Sequence, residues 1–425
     1  MAMAVGTRIA SIYARQVYTE RGHPGIEATV VTESGARGAA ICTAGVSVGE
    51  HEIPFIYDGG PKWRGKGVQR AVACVNELIA PALEGVDASR QLEVDHALLN
   101  VGGPNAKPRL GGNATAAVSA AALKAGAASL GIPLYQHIGG VNACILPVPG
   151  VLSFMGNRRY GGLPGSTNKP SYSFYCYGFA SFAEASYAAW ELSTEFGQLM
   201  WKRYGLEAGF EGRVYFPAGL VQHERELWDL KASVIAKLGY EGRVGFQVDM
   251  GATTYYDPQR GVYVGLLSAG EKTKDELCEL YDEMVRKYPF IVIEDPLKEN
   301  DYEGHARLTR RLGIQIVGDD LFTTDPARVE QGARLGAANT VLLKVNQIGT
   351  ISEAFDMVRL AYRQGYAVMP CHSRGEGEDI ADYTVGLGCG QLREGAIGTV
   401  GNRFLQIEAE LGPRAVFLGR QALKP

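Results

Sequence analysis

An α/β fold is predicted for this chain, a (β/α)8-type barrel of parallel strands behind an N-terminal α+β capping domain, and three observations predict it. Five short apolar runs each end in one polar residue of catalytic type: Gly-Phe-Gln-Val in Asp249, Ile291-Val292-Ile293 in Glu294, Ile316-Val317-Gly318 in Asp319, Val341-Leu342-Leu343 in Lys344, and Ala367 to Cys371 in His372. A continuous β-branched run is a strand buried on both faces, as in parallel sheets. The intervals between those polar residues, 45, 25, 25 and 28, leave room for a crossover helix each time, which parallel pairing requires. Residues 1–135 have a different texture, with short β-rich runs followed by helical periodicity.

In order along the chain, Ile26 to Val31 and Gly38 to Cys42, separated by Thr-Glu-Ser-Gly, read as an antiparallel hairpin. Lys66 to Ala82 and the Ala-rich Asn113 to Leu130 read as helices, the second stopped by Gly131-Ile132-Pro133. Between them and the hairpin, Thr43 to Glu52 is a loop whose small residues flank Ser47, suited to a hinged lid; an inert turn is the plainer reading. Pro147-Val148-Pro149-Gly150 marks the crossing into the barrel, so the expected domains are 1–135 and 148–425. The second has the length of a barrel, typically ~250 residues.

The chain is 425 residues long, 46% hydrophobic and 21% charged, enough to bury a large core. A formal net charge of -4 gives no basic surface for nucleic acid. No apolar run approaches the ~18 residues of a membrane span, and the start lacks a secretory pattern. The seven cysteines have no CxxC spacing and read as reduced thiols. A cytoplasmic protein is expected, without nucleic-acid or membrane partners.

In a barrel, residues at the C-terminal ends of strands converge on one mouth. Asp249, Glu294 and Asp319 there accumulate like charge that a cation or protonation must relieve, and hard oxygen donors favour Mg²⁺ over zinc. Asp295 and Asp320, beside them, read as caps of the following helices. Lys344 starts from the core and turns its amine into the same mouth. It works as a base if burial and nearby cations lower its pKa; the plainer reading is an ion pair to Glu294 or Asp319.

The runs VIEDPLKENDYEGH, IQIVGDDLFTTDP, LLKVNQIGTISEAFD and GEGEDIADYTVGLGCGQL resemble the barrel half of the enolase family, and Thr43 to Glu52 resembles its N-terminal mobile loop. The resemblance runs with gaps from about Ile9 to Gly412. It implies Asp249, Glu294 and Asp319 as Mg²⁺ ligands, two ions per site with Ser47 helping to bind the second, and Lys344 as the base that takes the proton α to a carboxylate. Glu211, in Gly209 to Val214, matches the acid of the family's GDEGGVAP loop that helps expel the β-hydroxyl. His372, Ser373 and Arg374 match the residues that hold substrate and its phosphate, with the family's Arg-Ser order inverted. A homodimer or larger homo-oligomer acting on a small phospho- or phosphono-carboxylate is implied.

This sequence departs from the family at three further places. The loop histidine of a Gly-Ser-His-Ala-Gly-Gly run meets Asn157 to Gly162, putting the Arg158-Arg159 pair where a phosphate, phosphonate or nucleotide would sit, unless it is a plain surface pair. A glutamate in a Gln-Glu-Phe run meets Ser171 or Ser173. The lysine that grips the substrate carboxylate aligns with Val400 or Gly401. The reaction implied is dehydration of 2-phosphoglycerate, or a close analogue, to phosphoenolpyruvate or an enolpyruvate ester through a metal-stabilised enolate. An enolase-like carboxyphosphonoenolpyruvate synthase of phosphinate-antibiotic pathways, and a metal-binding pseudoenzyme, are the alternatives.

Overall fold

The computed structural model describes the chain except residues 1–5, 20–21, 44, 46–47, 157–169, 210–211, 218–219 and 265–269. Ser47, Arg158, Arg159 and Glu211 therefore lie outside the described residues.

The N-terminal part is a three-stranded antiparallel sheet, β1 (Ile9–Tyr18), β2 (Pro24–Thr32) and β3 (Arg37–Cys42), in that order. Two helices matter to the site, α1 (Gln91–Gly102) and α2 (Gly112–Leu130). The second is almost wholly buried and lies on the sheet so closely that a Cβ on Gly38 would stand 2.2 Å from the Ala121 carbonyl oxygen. Gly131 ends it in the left-handed conformation with φ 67°.

Eight strands form the barrel: β4 (Val148–Met155), β5 (Ser171–Cys176), β6 (Val244–Asp249), β7 (Phe290–Glu294), β8 (Gln315–Gly318), β9 (Thr340–Leu343), β10 (Ala367–Pro370) and β11 (Gln391–Leu392). They pair in the order β10-β9-β8-β7-β6-β5-β4-β11. The ring closes where Arg393 N donates to Pro370 O at 3.1 Å. The wall includes α3 (Phe182–Tyr204), α4 (Arg225–Leu238), α5 (Lys274–Lys287), α6 (Tyr302–Leu312), α7 (Pro326–Leu335), α8 (Ile351–Arg363) and α9 (Gly398–Leu411). Among the described residues no single helix is long and apolar enough to cross a membrane.

One strand corrects the expectation of an all-parallel barrel. β5 runs antiparallel to both β4 and β6. Its first residue, Ser171, therefore stands opposite Asp249, the last residue of β6, and lies at the mouth, where the parallel strands end.

The N-terminal part also holds a barrel helix. Asp95 of α1 accepts from Ser352 N at 2.8 Å, and Ser119 of α2 accepts from Ile351 N at 2.9 Å. Both contacts satisfy N–H groups at the start of α8 that have no acceptor within the helix, and they anchor the turn that follows Lys344.

Candidate active site

The predicted strand ends come together. Asp249 and Glu294 are register partners on β6 and β7, so two carboxylates leave neighbouring strands at one height. Asp319 follows β8 and Lys344 follows β9; all four are buried. Lys344 Nζ lies 2.5 Å from Asp319 Oδ2. Asp319 Oδ1 accepts from Gln347 Nε2 at 2.8 Å, and Gln347 Oε1 accepts from Thr324 Oγ1 at 2.7 Å. The ion pair of the plainer reading is thus present, and its partner is Asp319.

That pair reverses the expected lowering of the lysine pKa. Burial by itself lowers it, but the Asp319 carboxylate outweighs burial and the opposing charge of Arg374, so the Lys344 ammonium is held above the ordinary lysine value.

Asp295 is not a helix cap, correcting that expectation. It sits before Pro296 with φ 42°, and its carboxylate accepts from Asp319 N at 3.0 Å and Asp320 N at 2.9 Å. It therefore builds the turn after β8 and aims Asp319. The cap of α6 is Asp301, which accepts from Gly304 N. Burial, with Asp320 and Asp319 adjoining, pushes the Asp295 carboxyl well above the usual carboxylate range.

The mouth contains a cation that the sequence reading missed. Arg393, directly after β11, donates from Nε to Glu294 Oε2 and from Nη2 to Asp249 Oδ2, both at 2.6 Å, and from Nη2 to Ser171 Oγ at 3.1 Å. Val400, where the carboxylate-gripping lysine was aligned, is instead a buried core residue of α9. The strand before Arg393 has two residues, too short for an apolar run to announce it. The available signal was its position immediately after Gly-Cys-Gly-Gln-Leu. Of the two serines considered, Ser171 is the one at the mouth; Ser173 lies deeper, opposite Gln247.

His372 and Ser373 follow β10 and are partly exposed. Burial tends to raise the nearby Glu394 carboxyl, but Arg393, Arg213 and His372 together hold it below the usual range. Arg374 is turned elsewhere: its two terminal nitrogens lie 2.6 Å from the two oxygens of Glu52, with both side chains 2% exposed. Thr43 N donates to Arg374 O at 3.0 Å, and Glu50 N donates to Glu299 Oε2 at 2.8 Å. Both ends of the 43–52 loop are thereby fastened to the barrel.

Carboxyls outnumber bases in this mouth. Asp249, Glu294, Asp295, Asp319 and Asp320 are all buried here; among the described residues Lys344 pairs with Asp319, Arg393 with Asp249 and Glu294, and Arg374 is set against Glu52. Oxygens of Glu294, Asp295 and Asp319 lie within 4.8 Å of one another, close enough to share an ion. Surplus buried negative charge on hard oxygen donors fits Mg²⁺.

Comparison with known proteins agrees along nearly the whole chain. The family model described as "Enolase, N-terminal domain" matches residues 9–138, and "Enolase, C-terminal TIM barrel domain" matches residues 145–425. The chain belongs to the enolase family. It is 41% identical to the enolase of Methanopyrus kandleri, over 96% of this chain and 99% of that protein. It is 39% identical to the enolases of Thermococcus kodakarensis and Corynebacterium kroppenstedtii, in each case over 98% of both chains. Membership makes this an enolase-type lyase, and the family is in general Mg²⁺-dependent. Asp249, Glu294, Asp319, Lys344, Arg393 and Ser171 all stand at the mouth of that barrel.

Proposed function

We propose that the chain dehydrates 2-phosphoglycerate to phosphoenolpyruvate. The observation that carries this reading is the convergence of Asp249, Glu294, Asp319 and Lys344 on one buried mouth. Asp249, Glu294 and Asp319 hold Mg²⁺; Asp295, whose oxygens already accept backbone N–H groups, positions Asp319 instead. Mg²⁺ held by these three residues would supply positive charge for the substrate carboxylate and would take the place of the lysine as the counter-charge of Asp319. Lys344 Nζ takes the proton from the α-carbon. Glu211 protonates the departing β-hydroxyl, so that the Cβ–O bond breaks as the double bond forms and water leaves. His372 and Ser373 orient the substrate phosphate, and Arg158 and Arg159 add positive charge beside it. Arg374 acts through Glu52, fastening the lid loop.

The finer assignments belong to the same reading: a second Mg²⁺ bound with the help of Ser47, a homo-oligomer, a cytoplasmic location, and a division into a cap of 1–135 and a catalytic barrel of 148–425. Incubating the purified chain with 2-phosphoglycerate and following ³¹P resonances tests it. A phosphoenolpyruvate signal that appears with Mg²⁺ and disappears with chelator is the expected outcome.

A second reading is favoured by the substrate half of the mouth. Ser171 is neutral where the resemblance has a glutamate, and Arg393 brings a forked cation against it. A roomier, more positive floor suits an enolase-like synthase of the carboxyphosphonoenolpyruvate type. The same ³¹P experiment with phosphonoformate or its nucleotide ester added decides: a new phosphonate resonance supports the synthase, and an unchanged dehydration rate supports the lyase.

A further inference from the structure

The outer face of α3 has no part in the mechanism. Trp190 and Trp201 there are 52% and 62% exposed, two of the four tryptophans in the chain. Single exposed rings are ordinary, but positions 190, 193, 194, 197, 198 and 201 fall on one helix face, so the two indoles stand at the ends of one stripe roughly 16 Å long. The stripe is one bank of a groove of about 820 Å³; the other bank is the segment after α3, at Glu207, Ala208 and Gly212, with the start of α9. A Cβ on Gly197 would stand 3.0 Å from Ala208 Cβ, and one on Gly212 would run into Ser193 Oγ, so helix and segment meet over small residues and leave the indoles standing at the two ends. Tyr187 stacks against Trp190, with ring centroids 6.1 Å apart and 29° between the planes, which fixes the orientation of that indole.

The lining selects a chemistry. Small-molecule pockets have volumes of about 300–1,000 Å³, and this groove falls within that range. An indole takes a flat ring by stacking and a cation by attraction to its negative face. Ser193, Thr194 and Gln198 add uncharged polar atoms, and Glu207 is the only ionisable side chain among the described residues of the lining, so no lysine or arginine there holds a phosphate or a carboxylate. We propose that this groove binds a small organic cation, a planar aromatic ring carrying an ammonium, with the ring on an indole and the ammonium against Glu207. None of the mouth residues lines it, and it takes the opposite charge from the phospho-carboxylate assigned to the mouth, so it is a second ligand site rather than an extension of the first. A second copy of the chain fits it less well, because a two-fold contact sets one groove against another and fills neither.

The test is calorimetric titration of the full-length chain with three probes that share one ring and differ in charge: 2-naphthylmethylamine, 2-naphthylmethanol and 2-naphthylacetate. The titrations are repeated on Trp190→Ala, Trp201→Ala and Glu207→Gln, each first shown by thermal melting to fold as the parent does, and sedimentation of the parent and Trp201→Ala is run alongside. The parent should bind the amine roughly three- to thirtyfold more tightly than the alcohol, the range of a cation set against an aromatic face, and the acetate most weakly. Glu207→Gln should narrow the amine's advantage while the alcohol binds as before, and each tryptophan variant should weaken all three probes. Equal binding of the three probes by the parent, parent-like binding by both tryptophan variants, or no binding of the amine at all overturns the proposal. A parent that sediments as a larger species than Trp201→Ala and binds no probe assigns the groove to a second copy of the chain and overturns it as well.

Discussion

Arg374 and Glu52 form a fully buried two-point ion pair, each contact 2.6 Å, between the loop after β10 and the loop after β3. Burial alone disfavours the Arg374 cation, yet Glu52 holds it above the ordinary arginine value. Glu52 also accepts from Gly49 N at 3.0 Å and from Gln347 Nε2 at 3.3 Å, and Gln347 in turn holds Asp319. Gln347 therefore joins the 43–52 loop to Asp319 through two hydrogen bonds.

Breaking that pair should loosen the lid and leave the base in place. Glu52→Gln leaves a buried guanidinium without its counter-charge, which costs about 3–5 kcal/mol. The expected outcome is a lower unfolding midpoint, faster hydrogen exchange at residues 48–53, and a larger rise in KM than fall in kcat. An unchanged exchange rate at those amides would show that Arg374 does not fasten the loop.

The metal assignment is tested at Glu294, whose carboxylate is both a register partner of Asp249 and a contact of Arg393. Glu294→Gln keeps the shape and removes the charge. Mg²⁺ affinity should fall by at least tenfold, the lower bound for about 1.5–3 kcal/mol of a charge-assisted contact. Calorimetry giving the parent's affinity would remove Glu294 from the ligand set.

Acid stability has a contributor outside the site. His305 of α6 is fully buried, with Nδ1 2.9 Å from the Asp301 carbonyl oxygen, and burial pushes its pKa from 6.5 down to about 4 despite Asp301 nearby. The folded state keeps the ring neutral while the unfolded state protonates it. The stability linked to this group is complete above pH 6.5 and is lost as pH falls toward about 4, amounting to roughly 3 kcal/mol across that window. His305→Gln should flatten the urea-unfolding stability between those pH values. A parent and variant with the same pH slope would contradict the assignment.

The barrel and its acids were legible because Glu294, Asp319 and Lys344 each follow an apolar, largely β-branched run that reads as an interior strand. Glu294 after Ile291-Val292-Ile293 and Lys344 after Val341-Leu342-Leu343 are the plainest cases, and the structure buries every residue of β7 and β9. The hairpin of β2 and β3 was legible from its turn residues. Arg393 was not, because Gln391–Leu392 is too short a strand to show a period. The choice between Ser171 and Ser173 depended on strand direction, which no local pattern records. Asp295 resembled a cap because an acid before proline usually is one; the N–H groups that donate to it lie instead after the neighbouring strand, on Asp319 and Asp320. β1 was missed for another reason: several of its residues are exposed on both faces, which blurs the alternation that marks a strand.

Lys344 is proposed to move the α-proton in a mouth that holds Mg²⁺ independently of it. The most direct measurement follows solvent deuterium entering the α-carbon of 2-phosphoglycerate by NMR, with Mg²⁺, for the parent and for Lys344→Ala, alongside calorimetric Mg²⁺ binding to both. The expected outcome is exchange by the parent, exchange lower by several orders of magnitude in Lys344→Ala, and retained Mg²⁺ binding in the variant. Exchange by Lys344→Ala at the parent's rate would contradict it and place the base on another residue.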